Sequence, residues 1–303
     1  IAVVGAGYWG PNLIRNFASN PKCDALWVCD RDPARLENIG RRFPAATLSE
    51  NFGSIIESDA DAVVIATPVG THYALAKSAL EAGKHVFVEK PLAASTKEAE
   101  ELVELADKKD LRLMVGHTFE YSPPVRKVSS LIVSGEMGDV FFVSSRRVNL
   151  GLFQNDISVI WDLAPHDFSI LFSWIKDKPV SVSATGKGFV QAGIPDVAFI
   201  STTFESGAVA HIEVSWLAPS KLRRTTVVGS KKMLVYDDTE VVEKVKIYDR
   251  GVDFPDPKTF GEWQLSYRTG DILVPRLDQF EPLALETSEF LDSIEEGRAP
   301  LTD

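Results

Sequence analysis

Cysteine is nearly missing from the 303-residue sequence. The two present, Cys23 and Cys29, are too few for a disulfide framework, and no Cys or His cluster completes a metal site around them. Positive charge is also short, with 32 Lys and Arg against 43 Asp and Glu for a net charge of −11. The basic residues are scattered instead of striped, which argues against a nucleic-acid partner. No apolar run approaches the roughly 20 residues that span a bilayer, and no charged-then-apolar leader is visible. The expectation is therefore a cytoplasmic protein with no membrane partner. Internal repeats and low-complexity tracts are lacking too. What remains is ordinary globular composition, with 45% hydrophobic and 25% charged residues and a mean hydropathy of −0.02. That length predicts two packed units. Ile1 already stands inside a strand and Asp303 follows a helix, so further terminal elements are expected beyond both ends.

The first 116 residues alternate short apolar runs, at 1–4, 25–29, 62–66, 85–88 and 112–115, with amphipathic stretches at 11–19, 33–42, 73–82 and 96–109. Five buried parallel strands joined by helices fit this rhythm, with Gly83 at a helix C-terminus. After Ser122 the pattern changes to a helix at 124–134, a strand at 140–148 and a helix near 159–174. Strands then follow at 180–185, 198–204, 208–216, 225–228 and 241–248. These alternate polar and apolar residues and are bounded by Gly, Ser and Asp, which predicts a mostly antiparallel sheet with one covered face. A last helix is expected at about 282–296. The predicted fold class is α/β: a doubly wound parallel sheet over residues 1–118, then an α+β domain over 119–303.

Gly5-Ala6-Gly7-Tyr8-Trp9-Gly10 follows the first strand directly and opens the first helix, the context that makes a GxGxxG pattern informative. Gly5 permits the tight turn, Gly7 admits a pyrophosphate close to the backbone, and Gly10 lets helix and strand pack closely. Tyr8 and Trp9 lie within the same turn and count with it as cofactor neighbours. Asp30, ending the second strand 20 residues past Gly10, is placed to accept from the adenosine ribose hydroxyls and favours NAD. Arg31 beside it could receive a 2′-phosphate and leaves NADP open. The alternative is a glycine turn with no ligand.

Two further elements carry chemistry. Glu89-Lys90-Pro91 ends a strand at the carboxyl edge, where open α/β sheets bind ligands, and Pro91 restricts the Lys90 backbone. The alternative is a surface lysine. In Trp161-Asp162-Leu163-Ala164-Pro165-His166-Asp167, Asp162 and His166 are spaced i,i+4 on one helix face near its start. A carboxylate beside an imidazole orients the ring for proton transfer near neutral pH. The alternative is a capping Asp and a packed His.

Gly5-x-Gly7-x-x-Gly10, Thr67-Pro68 followed by His72, Glu89-Lys90-Pro91, and Asp162-x-x-x-His166 before a β-rich half resemble the glucose-fructose oxidoreductase, inositol dehydrogenase and rhizopine-catabolism family, Gfo/Idh/MocA. The resemblance runs over essentially the whole chain. It implies a Rossmann domain and a second domain whose large open sheet often forms subunit contacts, hence a homo-oligomer, dimer or tetramer. It also implies a Lys90-Pro91 bond that is often cis, and Lys90, Asp162 and His166 as the catalytic group. The segments around Gly7-Tyr8-Trp9-Gly10 and Trp161-Asp162 look like the branch associated with nucleotide-sugar modification.

Oxidising an alcohol requires a base for the hydroxyl proton and a polar group for the developing alkoxide; His166 suits the first and Lys90 the second, with Asp162 orienting the imidazole. Thr67, Pro68 and His72 follow the third long apolar run, where the nicotinamide half should lie, and Glu89 accompanies Lys90; helix capping is the alternative for His72. Arg147 and Asn149 share a strand face opposite Arg146, and Arg147 could hold a carboxylate or diphosphate. The polar loop after them includes Gly151, Asn155 and Asp156. Glu120 and Tyr121, just past the domain boundary, are further expected substrate neighbours. The leading expectation is an NAD(P)-dependent dehydrogenase acting at C3 of a UDP-N-acetylhexosamine or its uronic acid. A free-sugar or inositol dehydrogenase and a non-catalytic dinucleotide-binding protein are the alternatives.

Overall fold

The protein is described from a computed structural model covering residues 1–151, 153, 157–253 and 266–303. By residue proximity it divides into two compact units, Ile1–Tyr121 with Phe280–Asp303, and Ser122–Gln279.

In the first unit the chain runs β1 (Ala2–Val4), α1 (Gly10–Ser19), β2 (Trp27–Cys29), α2 (Pro33–Arg42), β3 (Thr47–Ser49), α3 (Phe52–Ile56), β4 (Ala62–Ile65), α4 (His72–Glu81), β5 (His85–Glu89), α5 (Thr96–Lys108) and β6 (Leu113–Gly116). All six strands are parallel, in the order β3-β2-β1-β4-β5-β6. The sixth strand, β3, carries only three residues and no apolar run, so the sequence pattern did not announce it. Alternation assigns the strand residues to two faces. Val3, Val28, Val64, Phe87 and Met114 pack with Leu13, Ile14 and Phe17 of α1. Ala2, Val4, Val63, Ile65, Val86 and Val88 pack with Ala76, Ala79 and Leu80 of α4 and with Leu102 of α5. Each large side chain so withdrawn from water contributes roughly 1.5–3 kcal/mol.

The second unit contains α6 (Pro123–Val133), β7 (Val140–Leu150), α7 (Val159–Trp174), β8 (Pro179–Lys187), β9 (Val197–Phe204), β10 (Val209–Ser215), β11 (Leu217–Gly229), β12 (Met233–Asp237), β13 (Val245–Asp253) and β14 (Ser266–Leu273). Its eight strands form one sheet, β14-β13-β12-β11-β7-β10-β9-β8, antiparallel throughout except for the β7–β10 pair. In β7 the residues Val143, Ser145 and Arg147 are buried while Phe142 and Arg146, on the other face, are exposed, the alternation of a sheet with one covered face.

The expected division at 119–303 needs correction at its far end. The last helix, α8 (Pro282–Glu295), belongs to the first unit. Phe87 and Met114, on β5 and β6, share the α1 face of the parallel sheet. Phe290 and Leu291 of α8 complete that core, Phe290 meeting Phe87 edge to face at 5.7 Å. Arg15 of α1 pairs with Glu281, and Lys22 with Asp292 at 2.6 Å, so the helix is pinned along α1. No helix among the described residues is long and apolar enough to cross a membrane.

Candidate active site

The turn between β1 and α1 is shaped as its glycines require. Gly5 has φ of +100°, and a methyl group there would lie 2.6 Å from the Ala66 carbonyl oxygen; one on Gly10 would overlap the Gly5 carbonyl. At Gly7 the space is open, the nearest atom to such a methyl being Nη1 of Arg35 at 3.6 Å. Trp9 caps α1 without a side-chain hydrogen bond, so no side chain competes with an anion for the helix N–H groups. Asp30 braces the turn: its Oδ2 accepts from the Ala6 N–H at 2.7 Å and its Oδ1 from the Asp32 N–H at 2.9 Å. Each oxygen keeps a lone pair for a ribose hydroxyl.

A cleft of about 900 Å³ lies along these groups. Gly5, Gly7, Tyr8, Trp9, Asp30, Arg31, Thr67 and Pro68 all line it, so the structure brings most of the expected cofactor residues together. Arg35, which the sequence reading passed over, lines it too, 3.5 Å from Asp30 Oδ2 and 3.4 Å from Asp32 Oδ2. Its position in the first turn of α2, five residues past Asp30, was the available signal. The open approach at Gly7, the uncapped helix start and the acceptor oxygens of Asp30 fit a dinucleotide.

His72 is not on the cleft wall. It is 1% exposed, with Nδ1 2.8 Å from the Pro91 carbonyl oxygen and Nε2 2.8 Å from that of Thr67. Lys90 leaves the sheet at the end of β5, and the Lys90-Pro91 peptide is cis, as the family resemblance implied. Around it are two buried groups the sequence reading did not use, with Glu89 as a third. Burial lifts the Glu89 carboxyl to about 7 despite the opposing Lys90 charge. Burial also drives His117 down to about 4, helped by Lys90. Glu286 of α8 is held well above the carboxylate range by burial and by Glu89, although Thr118 Oγ1 donates to its Oε2 at 2.8 Å. Glu89 Oε1, Glu286 Oε1 and His117 Nδ1 are buried without a hydrogen-bond partner. Tyr121 is corrected from substrate neighbour to core: it is 0% exposed and its hydroxyl meets Thr302 Oγ1 at 3.1 Å. Glu120 is half-buried in the short 3-10 turn Thr118–Tyr121.

In the second unit, Asp162 occupies the first turn of α7 and His166 the next, both half-buried. Trp216, 2% exposed between β10 and β11, donates its indole N–H to Asp162 Oδ2 at 3.0 Å, fixing the carboxylate from behind. Nothing in its spacing from Asp162 marked it. Arg147 departs from expectation. Alternation placed it correctly on a face opposite Arg146, but that face is the covered one: Arg147 Nε donates to Asp167 Oδ2 at 2.6 Å with both side chains enclosed. Asp167 Oδ1 accepts from Ser145 at 2.7 Å. The guanidinium is a core ion pair and not an open diphosphate site. Asn149 is half-buried near the end of β7. Asn155 and Asp156 lie outside the described residues. Among the described residues no group of His, Cys, Asp and Glu could hold a metal ion.

Residues 1–117 match the oxidoreductase family with an NAD-binding Rossmann fold, and residues 125–235 match the Gfo/Idh/MocA C-terminal domain. The chain belongs to the Gfo/Idh/MocA family. Like the family, it is a nicotinamide-dependent oxidoreductase with an NAD-binding first unit. It is 26% identical over 257 residues to the UDP-N-acetylglucosamine 3-dehydrogenase of Acidithiobacillus ferrooxidans, an alignment covering 82% of this chain and 76% of that protein. It is 28% identical over 231 residues to the scyllo-inositol 2-dehydrogenase (NAD(+)) of Bacillus subtilis, covering 72% and 67%. The solved structure of the Acidithiobacillus enzyme superposes with a TM-score of 0.80 at 24% identity over 100% of this chain and 90% of that one, a likeness of fold.

Proposed function

We propose that this Gfo/Idh/MocA oxidoreductase transfers a hydride between a ring carbon of a pyranose and NAD, and that the sugar is a UDP-linked N-acetylhexosamine or its uronic acid, reacting at C3. The observation that carries the reaction is Asp162, one turn before His166 on α7 and held by the Trp216 N–H. A carboxylate fixed in this way orients an imidazole one turn away, and the oriented ring can take the hydroxyl proton. Lys90 supplies the cation that stabilises the developing alkoxide. NAD, when bound, supplies the hydride acceptor. Gly5, Gly7 and Gly10 seat its pyrophosphate, Asp30 its adenosine ribose, and Thr67 and Pro68 border its nicotinamide half; Arg31 leaves room for the 2′-phosphate of NADP. Glu120 and Asn149 remain substrate neighbours on this reading.

Similarity to the UDP-N-acetylglucosamine 3-dehydrogenase supports the nucleotide sugar. Similarity to the scyllo-inositol enzyme favours a second reading, a cyclitol or free-sugar dehydrogenase. NADH formation with UDP-N-acetylglucosamine, its uronic acid, free hexoses and inositols separates the two. Lys90→Ala and His166→Ala are each expected to lower turnover by about 10²-fold or more, and full turnover in either would remove that residue from its role. The exposed hydrophobics Phe142, Phe199 and Val209, which share the open face of the second unit's sheet, support assembly into a homo-oligomer.

A further inference from the structure

Beside the cofactor cleft sits a buried titratable ring that the proposed chemistry does not use. His72 opens α4, with its two ring nitrogens 2.8 Å from two backbone carbonyls, those of Pro91 and Thr67. Thr67 is a wall of the cleft, while Pro91 immediately follows Lys90. We propose that His72 is a positioning residue that sets the Thr67 wall of the cofactor cleft, its imidazole standing between the Thr67 carbonyl and the carbonyl of Pro91, which follows Lys90.

Carbonyl oxygens only accept, so each contact is a hydrogen bond only while its nitrogen carries a proton. A neutral ring with its proton on Nε2 ties Thr67, and one with its proton on Nδ1 ties Pro91. Burial, the largest influence, and the nearby Lys90 charge lower the His72 pKa, against the two carbonyls that raise it. The ring thus carries one proton at neutral pH, and its tautomer decides which backbone segment is held. The turn it holds is otherwise braced from within: Thr67 and Thr71 share a hydroxyl hydrogen bond of 2.7 Å, and Thr71 Oγ1 donates to the Pro68 carbonyl at 2.7 Å. The turn therefore moves as one piece, and a single tie at Thr67 places all of it, Pro68 included. This role explains why a histidine that follows the strand end is withdrawn from the ligand it was expected to touch.

The inference rests on the cofactor side of the proposed function and needs no sugar, so a wrong substrate leaves its test intact. His72→Phe keeps a planar ring and removes both nitrogens; His72→Gln keeps an amide able to donate to one carbonyl. The dissociation constant of NADH, read from quenching of protein fluorescence, is expected to rise about tenfold in the Phe variant and to recover most of the way in the Gln variant. The thermal midpoints, measured alongside, should not follow that order, since a merely structural role would lower stability and leave NADH affinity alone. A folded His72→Phe protein that binds NADH as the wild type does overturns the proposal. Should that variant not fold, imidazole nitrogen NMR of the wild type decides: the His72 signals are expected to shift on saturation with NADH, and signals that stay in place overturn it.

Discussion

Replacing Glu89 by Gln should stabilise the protein at alkaline pH and leave it nearly unchanged in acid. The carboxyl loses its proton at an ordinary 4.5 in the unfolded chain but at about 7 in the fold, because burial outweighs the Lys90 charge beside it. Between those values only the native state keeps the proton, so stability falls as pH rises through the window, and the loss is complete above about 7. A gap of about 2.5 pH units at 1.36 kcal/mol per unit amounts to about 3 kcal/mol, most of it between roughly pH 5 and pH 8. Gln resembles the protonated acid in shape and never ionises, so the variant avoids the loss. Glu286 acts in the same direction, since the Glu89 charge is one reason its own proton is retained. The assay is urea unfolding of both proteins at about pH 5 and about pH 8, with the wild-type curve subtracted so that titrating groups other than Glu89 and its neighbour Glu286 cancel. A difference that is the same at both values would refute the argument and show that Glu89 ionises in the fold as it does in water.

Arg35→Ala is expected to weaken NADPH more than NADH, by about tenfold in the ratio of dissociation constants, because Arg35 is a cation beside Asp30 over the glycine turn; equal changes would exclude it from reading the 2′-position. Arg147→Met should cost about 3–5 kcal/mol in denaturant unfolding by stranding Asp167 in the core, with the substrate KM of the folded fraction unchanged. A raised KM at unaltered stability would instead restore Arg147 as a substrate group. Trp216→Phe removes the N–H that holds Asp162 and should lower kcat about tenfold or more while the NADH dissociation constant stays put; unchanged kcat would mean that His166 does not depend on the carboxylate being fixed.

Local rules carried the parts of the site that are local. The glycine turn follows from strand, turn and helix in succession, and Gly5 and Gly10 sit where an added methyl would strike backbone. The Asp162–His166 pair follows from helical periodicity alone. Facing was a different matter. Alternation on β7 says that Arg147 and Arg146 point apart, but which side is covered depends on α7 arriving with Asp167 on its inner face. Tyr121 was misread for the same reason, since Thr302, its hydroxyl partner, lies 181 residues on. The allegiance of α8 was invisible because its amphipathic period reveals a buried stripe and not the core that buries it. Three strands were missed: β3 and β12 span only three and five residues, and β14 is polar and exposed, so none offered a long apolar run or a clean alternation.

The strand order also gives the first unit a direction. Gly5, Asp30, Thr67, Lys90 and His117 follow β1, β2, β4, β5 and β6, and the sheet runs β3-β2-β1-β4-β5-β6. Parallel strands present all these residues on one edge, in the spatial order Asp30, Gly5, Thr67, Lys90, His117. Neighbouring strands are about 4.8 Å apart, so Asp30 and Lys90 are three steps, roughly 14 Å, distant along that edge. On the proposed reading a dinucleotide whose ribose sits at Asp30 and whose pyrophosphate sits at Gly5 has already used the step from β2 to β1. Continuing the same way brings it to the Thr67 turn and then toward Lys90, while the other way leads only to β3, where the sheet ends. The reacting end of the cofactor is thus fixed by topology, and the residues left to adjust it are those that set the Thr67 turn and the charge near Lys90: His72, Glu89 and Glu286, all drawn from the buried layer behind the edge.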